Sequence, residues 1–177
     1  MSPYTTNTTA EERLRDLGIS LPHPPSPLGA YVETVRTGNL LFLSGTLPLE
    51  GGIPTFVGRI GAEFSIEAGR RATHLAALNA LAAAREHLGS LDRVRRVVRL
   101  AVSLVATPEF HQHPKIADAA SELLGSVFGL DKISTRMIYG VTSLPAGVCV
   151  VVELILDVGT RRSSSGSAQA GARSALR

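Results

Sequence analysis

The sequence predicts a single α/β (α+β) domain in which a mixed sheet carries two helices on one face. Segments with strand-like and helix-like periodicity follow one another in the order hairpin, helix, strand, helix, hairpin. The 177 residues suit one domain. Hydrophobic residues make up 44% of the chain and charged residues 19%, so the composition favours a packed core over a disordered chain.

The N-terminal part predicts a short helix and an extended connector. Thr9 is a typical N-cap for AEERLRDLG, in which acidic residues occupy the first turn and Gly18 ends the helix. The following LPHPPSP contains four prolines, which disfavour both helix and sheet interior. We assign residues 1–27 to this helix and connector and residues 28–158 to the main domain. Residues 159–177 are mainly Ser, Gly, Ala and Arg, which predicts a disordered tail.

The main domain begins with a predicted hairpin. Residues 30–36 and 39–44 have strand character and are joined by a tight turn at Thr37-Gly38. Several glycines then interrupt the chain, which predicts a loop region containing one further short strand at most.

Residues 65–88 predict the longest helix, with Ser65 as N-cap and Gly89 at the C-terminal end. Small residues at helical spacing would let this helix lie close against a sheet: Ala72, Ala76, Ala80 and Ala83.

The second half predicts a strand, a helix and a closing hairpin. Residues 93–105 alternate, with Val98, Leu100, Val102 and Leu104 on one face and Arg95, Arg99 and Ser103 on the other. Residues 114–127 predict a helix that ends at Gly129. Residues 135–143 and 148–158 predict two strands that pair antiparallel through the Leu-Pro-Ala-Gly turn between them.

The charge distribution argues against a nucleic-acid partner. The chain has 18 basic and 15 acidic residues, but the tail holds four of the basic ones and no acid. The remainder has 14 basic residues against 15 acidic ones. Because phosphate contacts dominate nucleic-acid affinity, a near-neutral domain lacks the usual source of that affinity.

Cysteine usage and apolar segments favour a cytoplasmic protein with no membrane association. Cys149 is the only cysteine, so no disulfide forms within the chain, which suits a reducing compartment. The N-terminus lacks the basic and apolar order of a secretory signal. The longest apolar stretch, residues 148–156, contains Glu153 and is shorter than the roughly 20 residues of a spanning helix.

Arg136 is the first candidate for a functional residue. It stands near the start of an otherwise apolar strand, where a guanidinium needs a partner because an unpaired buried charge is costly. Its planar fork matches a carboxylate in two-point contact. The sequence leaves open an internal salt bridge or a strand-end arginine whose head reaches solvent.

Glu153 is the second candidate, because it interrupts the apolar run VCVVVELIL. It shares a predicted strand face with Cys149, Val151, Ile155 and Asp157. An acid in such a run lies at an interface, pairs with an arginine or has a function.

Metals and organic cofactors have little support in the sequence. His111 and His113 lie in FHQHP with no cysteine or acid cluster nearby, a pattern more typical of a surface loop than of a ligand set. His74 and His87 lie on different faces of the long helix, and Cys149 is most simply a packing residue. No glycine-rich phosphate loop follows a strand, so we expect no cofactor and no metal.

Three segments resemble the Rid/YjgF family. GAYVETVRTGNLLFLSGTLPL resembles its opening signature, and STRMIYGVTSLPAGVCVVVEL resembles its C-terminal signature. PKIADAASELLGSVFG is similar to the second helix of a longer-chain subgroup that also has the LGISLP element. The similarity covers roughly residues 12–158.

The resemblance implies a homotrimer of chorismate-mutase-like subunits with ligand clefts at the subunit interfaces. In better-known members a cleft arginine binds the carboxylate of an enamine or imine, and water releases ammonia and a 2-oxo acid. By position Arg136 would be the anchor and catalytic residue. Tyr31 would line the cleft, the Ser44 and Gly45 backbone would hold the ligand, and Glu153 joins them as a binding candidate.

One position departs from the family pattern. Active deaminases usually have a glutamate two residues before the position of Glu153, where it orients the attacking water, and this chain has Val151. The sequence therefore supports two hypotheses. One is an imine or enamine deaminase, and the other is a non-catalytic trimer that binds small carboxylates. A ribonuclease activity, from an older family label, has no support in the near-neutral domain.

Overall fold

The computed structural model describes residues 8–159, so the N-terminal seven residues and almost all of the predicted tail lie outside the described part. Helix α1, Ala10–Asp16, begins as predicted: Thr9 accepts a hydrogen bond from Glu12 N, and Glu12 reaches back to Thr9 N. Glu11 joins α1 to the main domain, because its carboxylate accepts from Leu91 N at 2.9 Å.

The first hairpin consists of β1, Thr34–Thr37, and β2, Leu40–Leu43. Thr37 pairs with Leu40, so the turn is formed by Gly38 and Asn39, one residue later than predicted. The loop after β2 contains a second, very small hairpin, β3 at Leu49–Glu50 and β4 at Ile53–Pro54. The prediction allowed only one short strand there.

Helix α2, Ile66–Leu88, has the predicted Ser65 N-cap and a left-handed Gly89 at its end. All four alanines of the predicted small-residue stripe are buried. The helix therefore lies close against the sheet, and its contacts include the central strand described below.

Strand β5, Arg96–Val105, follows a 3₁₀ turn at Leu91–Arg93, so the strand starts later than predicted. A register shift near its start leaves Val98 between two paired positions. As a result Val97, at 1% exposure, occupies the core position that alternation assigned to Val98.

The last three elements are α3, His113–Phe128, β6, Thr135–Val141, and β7, Val150–Asp157. The strand order in the five-stranded sheet is β1-β2-β7-β5-β6. Strand β6 pairs parallel with β5, whereas β7 pairs antiparallel with β5 and β2. The predicted hairpin of the last two strands is therefore wrong, because β5 lies between them.

Helices α2 and α3 cover one face of the sheet, as predicted, and the core lies between these layers. The other face carries no helix among the described residues, and we call it the open face. Alternation and burial place on it large, partly exposed side chains, some of them charged, which include Val35, Phe42, Arg99, Met137, Tyr139, Val151, Glu153 and Ile155.

Candidate functional site

Ser44 and Gly45 lie where β2 leaves the regular ladder. Phe42 pairs with Ile155 and Thr46 bridges to Val152, so the four-residue step from Phe42 to Thr46 faces a three-residue step on β7. The extra residue makes a bulge, a feature that redirects side chains at sheet edges and binding sites.

Close packing against β7 explains the glycine in this bulge. A Cβ atom on Gly45 would lie 2.8 Å from Cγ1 of Val151. Ser44 is fixed on the other side, since its amide donates to Glu33 O at 2.8 Å and its hydroxyl donates to Val32 O at 2.7 Å. The bulge is thus held from both neighbouring strands.

Tyr31 lies in the bend that precedes β1 and is 43% exposed. Its hydroxyl accepts a hydrogen bond from Leu28 N at 3.1 Å, and its ring faces Gly29. The ring is therefore held by its own bend and remains accessible near the end of the hairpin that carries Ser44.

Glu33 was not singled out from the sequence, yet it lies beside Ser44 at this end of the hairpin. The β1–β2 register places the two residues opposite each other and on the open face. Within residues 8–159 the Glu33 carboxyl has no hydrogen bond or ion pair, and partial burial raises its pKa above the usual value. The signal available in the sequence was alternation, which places Glu33 on the same strand face as Val35.

Glu153 lies on β7 opposite Ala101 of β5 and points to the open face. Its side chain is exposed, and among the described residues it forms no ion pair with an arginine. Glu153 therefore does not pair with an arginine of the described part of its own chain. Its other two interpretations, a position at an interface and a functional role, stay open.

Arg136 lies at the seam between α3 and the edge strand β6. It shares its register position with buried Leu100, so it points to the helical side of the sheet. Its Nη1 donates to Asp118 Oδ1 at 2.7 Å and to Ser121 Oγ at 3.1 Å. The side chain keeps 26% exposure. An internal salt bridge, one of the alternatives left open by the sequence, is thus present.

The salt bridge occupies only part of the guanidinium. A guanidinium has five N–H groups, and two of these are on Nη1. Among the described residues no acceptor lies on Nε or Nη2 of Arg136. The Nε–Nη2 edge, which is a suitable fork for a carboxylate, is therefore unoccupied by protein groups.

The candidate residues fall at two separated places in one chain. Ser44 and Gly45 adjoin β7, and Arg136 lies on β6 at the far side of β5. Three strand spacings separate β2 from β6, about 14 Å at the usual interstrand distance. Two cavities, of about 390 and 400 Å³, lie elsewhere and contain none of the five predicted site residues. A single chain thus does not bring the predicted site together.

Among the described residues, no hydrogen bond or ion pair connects the remaining sequence candidates to Arg136, Ser44 or Gly45. His113 begins α3 and packs its ring edge against Phe110, and His74 faces the cavity between α2 and α3. Cys149 is buried in the core, where burial raises the pKa of its thiol to about 11. Within the described range, no group of three or more His, Cys, Asp and Glu residues is arranged to hold a metal ion. Nor does any helix there combine the length and apolarity needed to cross a bilayer.

The sequence is similar to that of a known protein family. Residues 11–158 match the family described as "YjgF/chorismate mutase-like, putative endoribonuclease". Protein TCP17 of Trypanosoma cruzi is 35% identical over 147 residues, which cover 82% of this chain and 91% of that protein.

Several solved structures have a fold similar to that of this chain. A protein from Shewanella oneidensis with the same endoribonuclease description is 33% identical, with a TM-score of 0.81 over 84% of this chain and 99% of that one. Atu1372 of Agrobacterium tumefaciens, of unknown function, is 33% identical with a TM-score of 0.76, over 85% and 92% of the two chains. TdcF of E. coli with bound serine, 22% identical over 76% and 93%, shares the fold with a TM-score of 0.55. The chain therefore belongs to the YjgF/chorismate mutase-like family, as the resemblance of its signatures predicted.

Proposed function

We propose that this protein binds a small carboxylate-bearing imine or enamine between neighbouring protomers and hydrolyses it to a 2-oxo acid and ammonia. The observation that carries the proposal is the Nε–Nη2 edge of Arg136 at the seam of α3 and β6, which has no acceptor among residues 8–159. A planar fork at a partly desolvated seam is suited to two-point contact with a carboxylate. Serine, the ligand of the E. coli fold relative, is a small molecule that also carries a carboxylate.

We propose further that three protomers associate through their open faces. Phe42, Met137 and Tyr139 are 38%, 48% and 41% exposed there, an unusual concentration of large apolar side chains on one sheet face. Association would cover this surface. Contact along the free edge of β6 would also let Arg136 of one protomer approach the Ser44–Gly45 bulge of another, which a single chain cannot do.

The hydrolysis needs a group that takes a proton from water. In our proposal the water oxygen forms a bond to the imine carbon while its proton passes to a carboxylate. The carboxylate passes that proton to the nitrogen, which gives a carbinolamine. It then carries the hydroxyl proton of the carbinolamine to the same nitrogen, so that the C–N bond breaks, ammonia leaves and the C=O bond forms. Val151 has no acceptor atom for this role. Glu33 is the carboxyl beside Ser44, and its raised pKa makes it a better proton acceptor once it is ionised.

A second function, carboxylate binding without catalysis, is favoured by one observation. Val151 occupies the place where active deaminases of the family have a glutamate, and its Cγ1 lies against Gly45. Under this alternative the Arg136 fork still binds a 2-oxo acid, but imine loss is not accelerated. The endoribonuclease description of the relatives is not a third candidate here, because the chain without its tail has no excess of basic residues.

A coupled assay separates the two functions. An amino-acid oxidase generates an imine, semicarbazide traps it, and purified protein is added. We expect the protein to reduce trapping, and Arg136→Ala to abolish the reduction. Arg70→Ala is the matched control, because Arg70 also forms an ion pair with α3, through Glu122, but lies on the α2 side. Unchanged trapping across several imines, together with thermal stabilisation by pyruvate, would instead establish the binding function.

We also propose a cytoplasmic location, which the single buried cysteine suits.

A further inference from the structure

We infer that Asp118 and Ser121 of α3 are positioning residues, which hold the Arg136 guanidinium by one nitrogen and leave its other edge available for a ligand carboxylate. The inference rests on the proposed carboxylate-binding function and adds two residues to that site. Neither residue was a candidate from the sequence, because each is an ordinary polar residue on a helix surface.

Two hydrogen bonds to α3 fix the Arg136 guanidinium at one nitrogen. Asp118 and Ser121 are three positions apart on α3, so their side chains lie on the same helix face. Both accept from the same atom, Nη1 of Arg136, at 2.7 and 3.1 Å. Nη1 has two N–H groups, which is enough to serve both acceptors. Rotation of the guanidinium about its long axis would break at least one of these hydrogen bonds.

The choice of nitrogen matters for binding. With Nη1 engaged, the donors that remain are Nε–H and the two on Nη2, and among residues 8–159 they have no protein acceptor. Nε–H and one Nη2–H point in parallel and match the two oxygens of a carboxylate. A side chain ordered before the ligand arrives loses less conformational entropy on binding.

The negative charge of Asp118 opposes the binding of a ligand carboxylate. Its carboxylate lies close to the fork and repels a second carboxylate, whereas its hydrogen bond orders the fork. Asparagine keeps an oxygen acceptor of the same shape and removes the charge. Alanine removes both, so the two substitutions separate positioning from repulsion.

The experiment measures binding of pyruvate by calorimetry in full-length protein. If Asp118 and Ser121 position the arginine, Asp118→Ala weakens binding by about tenfold, the loss expected for one charge-assisted hydrogen bond. Ser121→Ala weakens it by a smaller factor, and Asp118→Asn binds at least as tightly as the native protein. Glu122→Ala, which breaks the Arg70 ion pair on the other side of α3, is the control and leaves binding unchanged. Equal or tighter binding by Asp118→Ala would show that Asp118 only competes with the ligand, and would overturn the inference.

A ligand-independent measurement keeps this result separate from the proposed function. In ¹⁵N-labelled protein the Arg136 side-chain N–H signals report guanidinium mobility. We expect restricted motion in the native protein and fast motion in Asp118→Ala, whether or not pyruvate binds. Restricted motion without any pyruvate binding would refute the carboxylate function alone. Equal mobility in the native and Asp118→Ala proteins would refute the positioning role alone.

Discussion

Gly45 and Val151 are in such close contact that a Cβ atom on Gly45 would lie 2.8 Å from Cγ1 of Val151. The contact joins the bulge after β2 to the central strand β7. Gly45 belongs to the opening signature of the sequence, and Val151 stands where the family pattern has a glutamate. It also gives Gly45 a packing role that is independent of any ligand.

Gly45→Ala should therefore destabilise the fold. The added methyl group must displace Val151 or the bulge, and overpacking of this kind costs about 1 to 3 kcal/mol. Urea unfolding of the native and variant proteins at equal concentration measures the difference. The double variant Gly45→Ala, Val151→Ala should recover part of the loss, because it removes the atom that is contacted. A single variant as stable as the native protein would contradict the contact.

Val151→Glu should increase imine hydrolysis. The substitution places a carboxylate beside the bulge, and a positioned general base typically raises rates by about 100-fold or more. The semicarbazide assay measures the gain. Val151→Gln has nearly the same shape but accepts no proton at neutral pH, so it should show no gain. A rate unchanged in both variants would mean that ligands do not bind next to Val151.

Glu33→Gln should change how stability depends on pH. Burial raises the pKa of Glu33 in the folded state above its ordinary value of 4.5. The folded protein therefore holds this proton more tightly than the unfolded chain, and stability falls as pH rises from the ordinary pKa through the raised one. Above that window the glutamine variant, which does not ionise, should be the more stable of the two.

The measurement for Glu33 is the free energy of unfolding of both proteins at several pH values. The advantage of Glu33→Gln should shrink as pH falls to about 4, where the carboxyl is largely protonated in both states. An advantage that grows towards low pH would have the wrong sign and would show that Glu33 is stabilised as a carboxylate. In the imine assay the same variant should be slower than the native protein if Glu33 accepts the proton of the attacking water.

Met137→Asp should prevent association of the protomers. Met137 is 48% exposed on the open face, and an unpaired carboxylate buried in an interface costs several kcal/mol. Light scattering coupled to gel filtration measures the mass. Leu17→Asp is the control, because Leu17 is 52% exposed but follows α1 on the helical side of the molecule. A native protein that elutes as a monomer would refute the trimer directly.

Local signals in the sequence predicted the elements well. Helix ends depend on side chains near in sequence, so Thr9, Ser65 and Gly89 fixed α1 and α2 to within about a residue. Strand pairing depends on distant contacts that alternation does not encode. The last two strands looked like a hairpin from their turn, but β7 instead lies on the other side of β5. The bulge at Val98 was missed for the same reason.

The sequence singled out the residues of the predicted site, and their joint role stays a prediction. Arg136 was named for its charge and for the family signature. Its salt bridge is present and uses Nη1 alone, so the proposed carboxylate contact would use different nitrogens. Asp118 was not predicted, because it lies on another element and only the packing of α3 against β6 brings it near. Glu33 was not singled out, because its partial burial arises from the folded structure and an acidic residue in a predicted strand does not reveal it.

A crystal structure of the protein with pyruvate would show whether Arg136 binds a carboxylate between neighbouring protomers. We predict that both carboxylate oxygens lie within hydrogen-bond distance of Nε and Nη2 of Arg136, with the Ser44–Gly45 bulge of a neighbouring protomer on the other side of the ligand. Pyruvate bound away from Arg136, or an Nε–Nη2 edge that faces bulk water in the assembled protein, would contradict it.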